Sequence, residues 1–174
     1  MRRKSLLLLL LPLLIAACQP KKTEAPSATT ASPAYPYTIK HPDYWINDTS
    51  HTNTMAVLSA LKAFENRDTA SFKKYFADSI DFNYDKGEFK GTNAQLRKFV
   101  TGIYTTMKTM KIDVKDWESV ISNDKKEEWV TVWYTQKWTD QKGIADSAQF
   151  INDLQLKAGK IIKFDEYVRH FKTK

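Results

Sequence analysis

Glu166, His170 and Asn152 are the residues whose types and spacing come closest to a chemical site. If the segment after Gly159 is a strand, Glu166 and His170, four residues apart, lie on the same face of it. A carboxylate beside an imidazole can take up and return a proton, so the pair is a candidate acid–base couple. Tyr84, Tyr104 and Asn152 could donate hydrogen bonds to a bound carbonyl, and Phe150 and Phe164 could form apolar walls. The remaining chemistry is sparse. The other histidines, His41 and His51, are scattered, and the only cysteine, Cys18, excludes an intrachain disulfide and a Cys-rich metal site. The sequence contains no metal-ligand spacing, phosphate-binding loop or Ser-His-Asp pattern, and neither a metal nor a cofactor is expected.

The elements that must position these residues begin with an amphipathic helix over 50–66. Val57, Ala60, Leu61 and Phe64 recur at helical spacing, with Met55 and Leu58 widening the stripe. Asp68 is placed to cap a short second helix through Phe72, Tyr75 and Phe76. Ile80, Phe82 and Tyr84 alternate with Asp81, Asn83 and Asp85, as in a half-buried strand. Thr92 and Gln95 form a capping-box pattern before a third helix carrying Leu96, Phe99, Val100, Ile103, Tyr104 and Met107. Beyond Met110, breaks at 123–124, 140–143 and 158–159 separate four strands, whose short connections imply antiparallel neighbours. The element order is α+β, with about three N-terminal helices on one face of a strongly curved, mainly antiparallel sheet.

The last hairpin yields a register. With Lys157, Ala158 and Gly159 as a three-residue loop, Leu156 pairs with Lys160 and even positions face even positions. The even set, Phe150, Leu154, Leu156, Ile162, Phe164 and Val168, is the more apolar and should face the helices. Asn152 and Glu166 intrude on that face. Buried amides and carboxylates are costly unless paired or wetted, so the two mark either a satisfied structural hydrogen bond or a cavity lining. Between Glu128 and Trp138, Trp129 and Trp133 alternate with Val130, Val132, Tyr134 and Trp138, leaving both faces partly apolar. The outer face should therefore pack against a second copy, or beneath Tyr35, Tyr37 and Trp45.

The front of the chain reads as an address. Arg2, Arg3 and Lys4 precede a leucine run over 6–11, and Ala16 and Ala17 stand directly before Cys18. The apolar run is short for a bilayer span and matches a signal segment over 1–17. The order of small residues and cysteine resembles a bacterial lipobox, which implies acylation of Cys18. Several acyl chains anchor a protein stably to a membrane. Gln19 after the cysteine favours the outer membrane by analogy, facing periplasm or cell surface. All six prolines fall at or before Pro42 in a chain of 174 residues, and residues 18–43 read as an extended Pro/Ala/Ser/Thr-rich spacer ahead of one domain over 44–174. The formal net charge of +7 is largely address and spacer, and the lysines of the domain are interspersed with acids, so no nucleic-acid partner is expected.

Four local words carry a resemblance: Ala63-Phe64-Glu65-Asn66-Arg67-Asp68, Tyr75-Phe76-Ala77-Asp78, Gly91-Thr92-Asn93 and Ala158-Gly159-Lys160-Ile161. In their order over 50–171 the chain resembles the nuclear transport factor 2-like superfamily, including its SnoaL-like and ketosteroid-isomerase-like branches. The resemblance implies a cone-shaped cavity between sheet and helices, a setting used for isomerases, dehydratases, cyclases and non-catalytic binding, so it discriminates little between functions. The catalytic positions of the isomerase branch would fall near Asn83, Ala60 and Ile151, none of which carries the required acid, base or donor. Three readings follow. The leading one is non-catalytic binding of a small apolar or amphipathic ligand, or of a partner protein. The second is a cofactor-independent isomerase, cyclase or hydro-lyase using Glu166 with His170, and the third an accessory subunit of an envelope complex docking through its sheet.

Overall fold

The computed structural model describes residues 34–171. The signal segment, Cys18 and most of the spacer lie outside the described residues. The chain divides into two units, Met1–Ile39 and Lys40–Lys174. In the first, residues 34–39 form neither helix nor strand.

In the second unit, strand β1 (Trp45–Asn47) precedes helix α1 (Thr52–Glu65), and a 3-10 turn over Thr69–Ser71 leads into helix α2 (Phe72–Tyr75). Strands β2 (Phe76–Tyr84) and β3 (Gly87–Thr92) form a hairpin before helix α3 (Asn93–Thr106). Four long strands complete the domain: β4 (Met107–Ser122), β5 (Glu128–Asp140), β6 (Ala145–Lys157) and β7 (Lys160–His170). The seven strands form one sheet in the order β1-β4-β5-β6-β7-β2-β3, antiparallel except where β2 runs parallel to β7. The α+β order and mainly antiparallel sheet agree with the sequence reading, but the strong curvature does not. The sheet is not strongly curled: it stays open, with short β1 at one edge and β3 at the other. Its register departs from regular pairing only in local shifts, such as those near Lys115 and Ile162.

Helix α1 buries Asn53, Thr54, Val57, Ala60 and Ala63, while Leu58, Leu61 and Phe64 are half-buried and Met55 is 60% exposed. The buried stripe is thus rotated from the expected one, because Ala60 and Ala63 let the helix axis approach the sheet and push the longer side chains to its flanks. Helix α3 buries Leu96, Val100 and Tyr104. These stripes meet the inner face of the sheet at Val130, Val132, Leu154, Leu156 and Ile161.

The final hairpin corrects the expected register. Lys157 pairs with Lys160 around a two-residue loop, with Ala158 at φ 50° and Gly159 at φ 70°. Left-handed backbone at both central positions is the type I′ hairpin geometry, which matches the strand twist. Leu156 therefore faces Ile161, and Ile162 is the extra residue of a bulge before Gln155 meets Lys163. The bulge turns Ile161, fully buried, into the core in place of the expected Ile162, and then restores even-to-even pairing, so that Asn152 stands opposite Glu166.

Candidate functional site

On the inner face, Asn152 of β6 pairs with Val132 of β5 on one side and Glu166 of β7 on the other, and Phe150 pairs with Tyr134 and Val168. Asn152 is only 3% exposed; its Nδ2 donates to Tyr134 Oη at 2.9 Å, and its Oδ1 has no partner. Tyr134 is buried, and its ring stacks on Phe150 with centroids 5.0 Å apart and planes 4° apart. On the other flank Phe164 stacks on Phe82 at 4.3 Å, and Tyr84 packs against Phe82 and Phe99. Tyr84, Phe150, Phe164, Glu166 and Val168 are all half-buried. A polar floor of Tyr134, Asn152 and Glu166 thus lies between aromatic walls on a face the helices cover incompletely.

Electrostatics single out Glu166. Burial pushes its carboxyl up to about 7; the backbone N–H of Asp85 opposes that rise and the Asp85 charge adds to it. Among the described residues no lysine, arginine or histidine forms an ion pair with Glu166. Burial, reinforced by Glu166, pushes the Tyr134 hydroxyl well above the usual tyrosine range, so it stays a neutral hydrogen-bonding group.

The structure brings Glu166, Asn152, Tyr84, Phe150 and Phe164 to one face. It does not form the expected Glu166–His170 couple: His170 Nε2 lies 3.1 Å from Asp85 Oδ2, where the β2–β3 turn meets the end of β7. Tyr104 is committed elsewhere. Its hydroxyl donates to the Phe64 carbonyl at 2.9 Å, and the Arg67 guanidinium sits 5.6 Å from its ring centroid, at the α1–α3 junction. Of the positions compared with the isomerase branch, Ala60 is buried in the core, while Ile151 and Asn83 belong to the outer face, where Asn83 Nδ2 donates to Asp165 at 2.6 Å.

Tyr134 and Asp85 are site members that sequence reasoning missed. Tyr134 shares its parity with Val130 and Val132, but its alignment with Asn152 depends on pairing across the 140–144 turn. Asp85 was expected opposite the apolar face by alternation, yet β2 ends at Tyr84 and alternation stops there.

Two surface grooves lie elsewhere. One of about 380 Å³ runs past Met110, Lys137, Trp138 and Asp146, and one of about 240 Å³ separates Leu58 and Leu61 from Ile112 and Val114. Neither is lined by Asn152 or Glu166. Among the described residues no group of three His, Cys, Asp or Glu side chains could hold a metal ion, and no helix is long and apolar enough to cross a membrane.

No family model and no curated protein matches the sequence. Solved structures do match. A nuclear transport factor 2-like protein of unknown function from Burkholderia pseudomallei is 16% identical with a TM-score of 0.57, covering 68% of this chain and 91% of its own. TerC, co-crystallised with polyporic acid, is 17% identical with a TM-score of 0.57 over 68% of this chain and 92% of its own. An epoxide hydrolase of the LEH-like kind from M. tuberculosis is 12% identical with a TM-score of 0.56, over 68% and 79%. Identities this low speak to fold alone. With its three helices on one mixed, mainly antiparallel sheet, the domain has the nuclear transport factor 2-like fold.

Proposed function

We propose that this protein is a lipid-anchored envelope protein whose domain holds a small apolar or amphipathic molecule against the inner face of its sheet without reacting with it. The carrying observation is Asn152: an amide removed from water keeps an unpartnered acceptor beside the unpaired Glu166, on a wall otherwise made of aromatic rings. Leaving such an acceptor unmet costs about 1–3 kcal/mol, which a donor on a ligand would recover. TerC shows that a protein of this fold has been crystallised with a small molecule, which is consistent with the reading. Attachment through Cys18, with outer-membrane placement favoured by Gln19, rests on the sequence of the first nineteen residues. The outer face offers a route to self-association. Trp129, Trp133, Ile151 and Tyr167 form an apolar stripe there, flanked by Asp116 and Glu118 on the β4 side and by the Lys163–Asp165 pair and Arg169 on the β7 side. A two-fold axis would lay stripe on stripe.

A second reading makes Glu166 the acid–base group of an isomerase, cyclase or hydro-lyase. It draws on a carboxyl pushed up to about 7, where it can both give and take a proton near neutral pH.

Mass spectrometry of the full chain, extracted from its host membranes in mild detergent, tests these readings. Denatured spectra should show a chain beginning at Cys18 plus acyl mass, and native spectra a further small-molecule increment that is reduced in Asn152→Leu. A chain without either increment overturns the reading. Chemical turnover of the recovered molecule, lost in Glu166→Gln, establishes the second one instead.

A further inference from the structure

We infer that the molecule held at the inner face is an amphipathic amine, its protonated nitrogen seated between the Glu166 carboxylate and Asn152 Oδ1 and its apolar body against Tyr84, Phe150 and Phe164. This rests on the ligand-binding reading and names the ligand class.

The hydrogen-bond inventory of the seat points one way. Asn152 gives its N–H to Tyr134 Oη, so what it has left is the acceptor Oδ1, and Glu166 adds two carboxyl oxygens directly across the strand pair. A protonated amine carries up to three donors on one atom and can serve both residues, whereas a hydroxyl carries one and a carbonyl or carboxylate none.

Charge points the same way. The titratable groups around Glu166 are Tyr134 on β5, which stays neutral, and Asp85 at the β2–β3 turn, which is negative and lies against His170 on its far side. A buried carboxylate without a cation is costly, and an ammonium supplies the missing partner. An anionic ligand would meet repulsion from both carboxylates. The stacked pairs Tyr134–Phe150 and Phe82–Phe164 present ring surface beside the polar floor, and ring faces attract cations while accommodating an apolar body.

Proton linkage follows. The ammonium favours ionised Glu166, so binding should tighten as pH rises from 6 to 8, through the range in which the free carboxyl titrates, and weaken near pH 10 as the amine itself loses its proton.

Calorimetry on the full chain in detergent, with 2-phenylethylamine, 2-phenylethanol and phenylacetate as probes, tests the inference, because the three share a ring and differ in the head group. At pH 8 the amine should bind at least about tenfold tighter than the alcohol, with the carboxylate weakest. Glu166→Gln should reduce the amine to the level of the alcohol and flatten its pH profile, while also controlling for partition into detergent. If that variant fails to fold, the tightening of amine binding between pH 6 and 8 in the unmodified protein carries the test. An alcohol or carboxylate that binds as tightly as the amine overturns the amine assignment and leaves ligand binding standing. If none of the three binds and the co-purified molecule lacks an amino group, the assignment also falls, whereas a co-purified amphipathic amine sustains it. A chain that binds none and carries no co-purified molecule ends both.

Discussion

Glu166 and Glu65 are carboxyls pushed in opposite directions. Glu65, at the end of α1, is penalised by burial, but hydrogen bonds from Lys62, Lys111 and the Ile112 N–H override the penalty and hold its carboxyl at about 2. Its folded-state value lies below the ordinary 4.5, so its stabilising contribution is complete above pH 4.5 and is lost as pH falls toward 2. At Glu166 the sign reverses. A folded value of about 7 means that the folded form holds the proton more tightly than the unfolded one, so stability is lost as pH rises from 4.5 to 7 and then levels off. Glu166→Gln should therefore raise stability by about 3 kcal/mol at pH 8 and leave it nearly unchanged at pH 4. Urea midpoints at the two pH values measure this, and an equal effect at both would contradict a buried, titrating carboxyl.

At the scale of elements, the words that carried the family resemblance are joints. Glu65 accepts the N–H of Ile112 and Arg67 donates to the carbonyls of Met107 and Lys108, so the end of α1 caps the backbone of β4 where β1 no longer pairs with it. Asp68 accepts the Ser71 N–H and caps the 3-10 turn. Thr92 and Gln95 close a capping box, and Asn93 Nδ2 reaches the carbonyls of Phe72, Phe76 and Ala77, tying the start of α3 to α2 and β2. A Cβ at Gly91 would stand 2.8 Å from Gln95 Oε1 and 2.9 Å from the Phe89 ring, so both side-chain ends would have to shift. Gly91→Ala should displace Gln95 from the cap and cost about 1–2 kcal/mol. A lowered urea midpoint checks it; an unchanged midpoint would show that the cap is not needed. The caps at Asp68 and Thr92 were legible because each closes within three residues, whereas the contacts of Glu65, Arg67 and Asn93 were not, since their partners lie far along the chain. The rotated stripe of α1 was not, since helical spacing marks apolar positions without saying which of them a neighbouring sheet lets close.

For the whole molecule, the two faces of the sheet divide the work. The inner face holds the aromatic walls and the polar floor; the outer face exposes Ile151 at 40% and Tyr167 at 60% beside Trp129 and Trp133. Within that stripe the Lys163 ammonium lies 5.6 Å from the Trp129 ring centroid, and Asp165 holds Lys163 at 2.7 Å, so charges and rings are already organised in one chain. If two copies associate there, Ile151→Glu buries like charges at the centre of the interface and should leave a monomer in sedimentation, while the unsubstituted chain sediments as a dimer. A monomeric unsubstituted chain at high micromolar concentration would reject association through this face.

By itself the sequence determined the three helices, the strand through Ile80 and Tyr84, the four strands that follow, the caps at Asp68 and Thr92, and the intrusion of Asn152 and Glu166 on an apolar strand face, because helical spacing, caps and alternation are written in neighbouring residues; the short edge strands β1 and β3 were not legible in it. Tertiary structure decided what those two residues meet. The I′ turn and the bulge at Ile162 set the pairing of β6 with β7, the 140–144 turn brought Tyr134 into line with Asn152, and the end of β2 carried Asp85 to His170. Pairing across strands follows from loop geometry, and a shift of one residue exchanges the two faces of a sheet. The seat of an unpartnered amide oxygen and an unpaired carboxyl therefore arises only when three strands lie side by side.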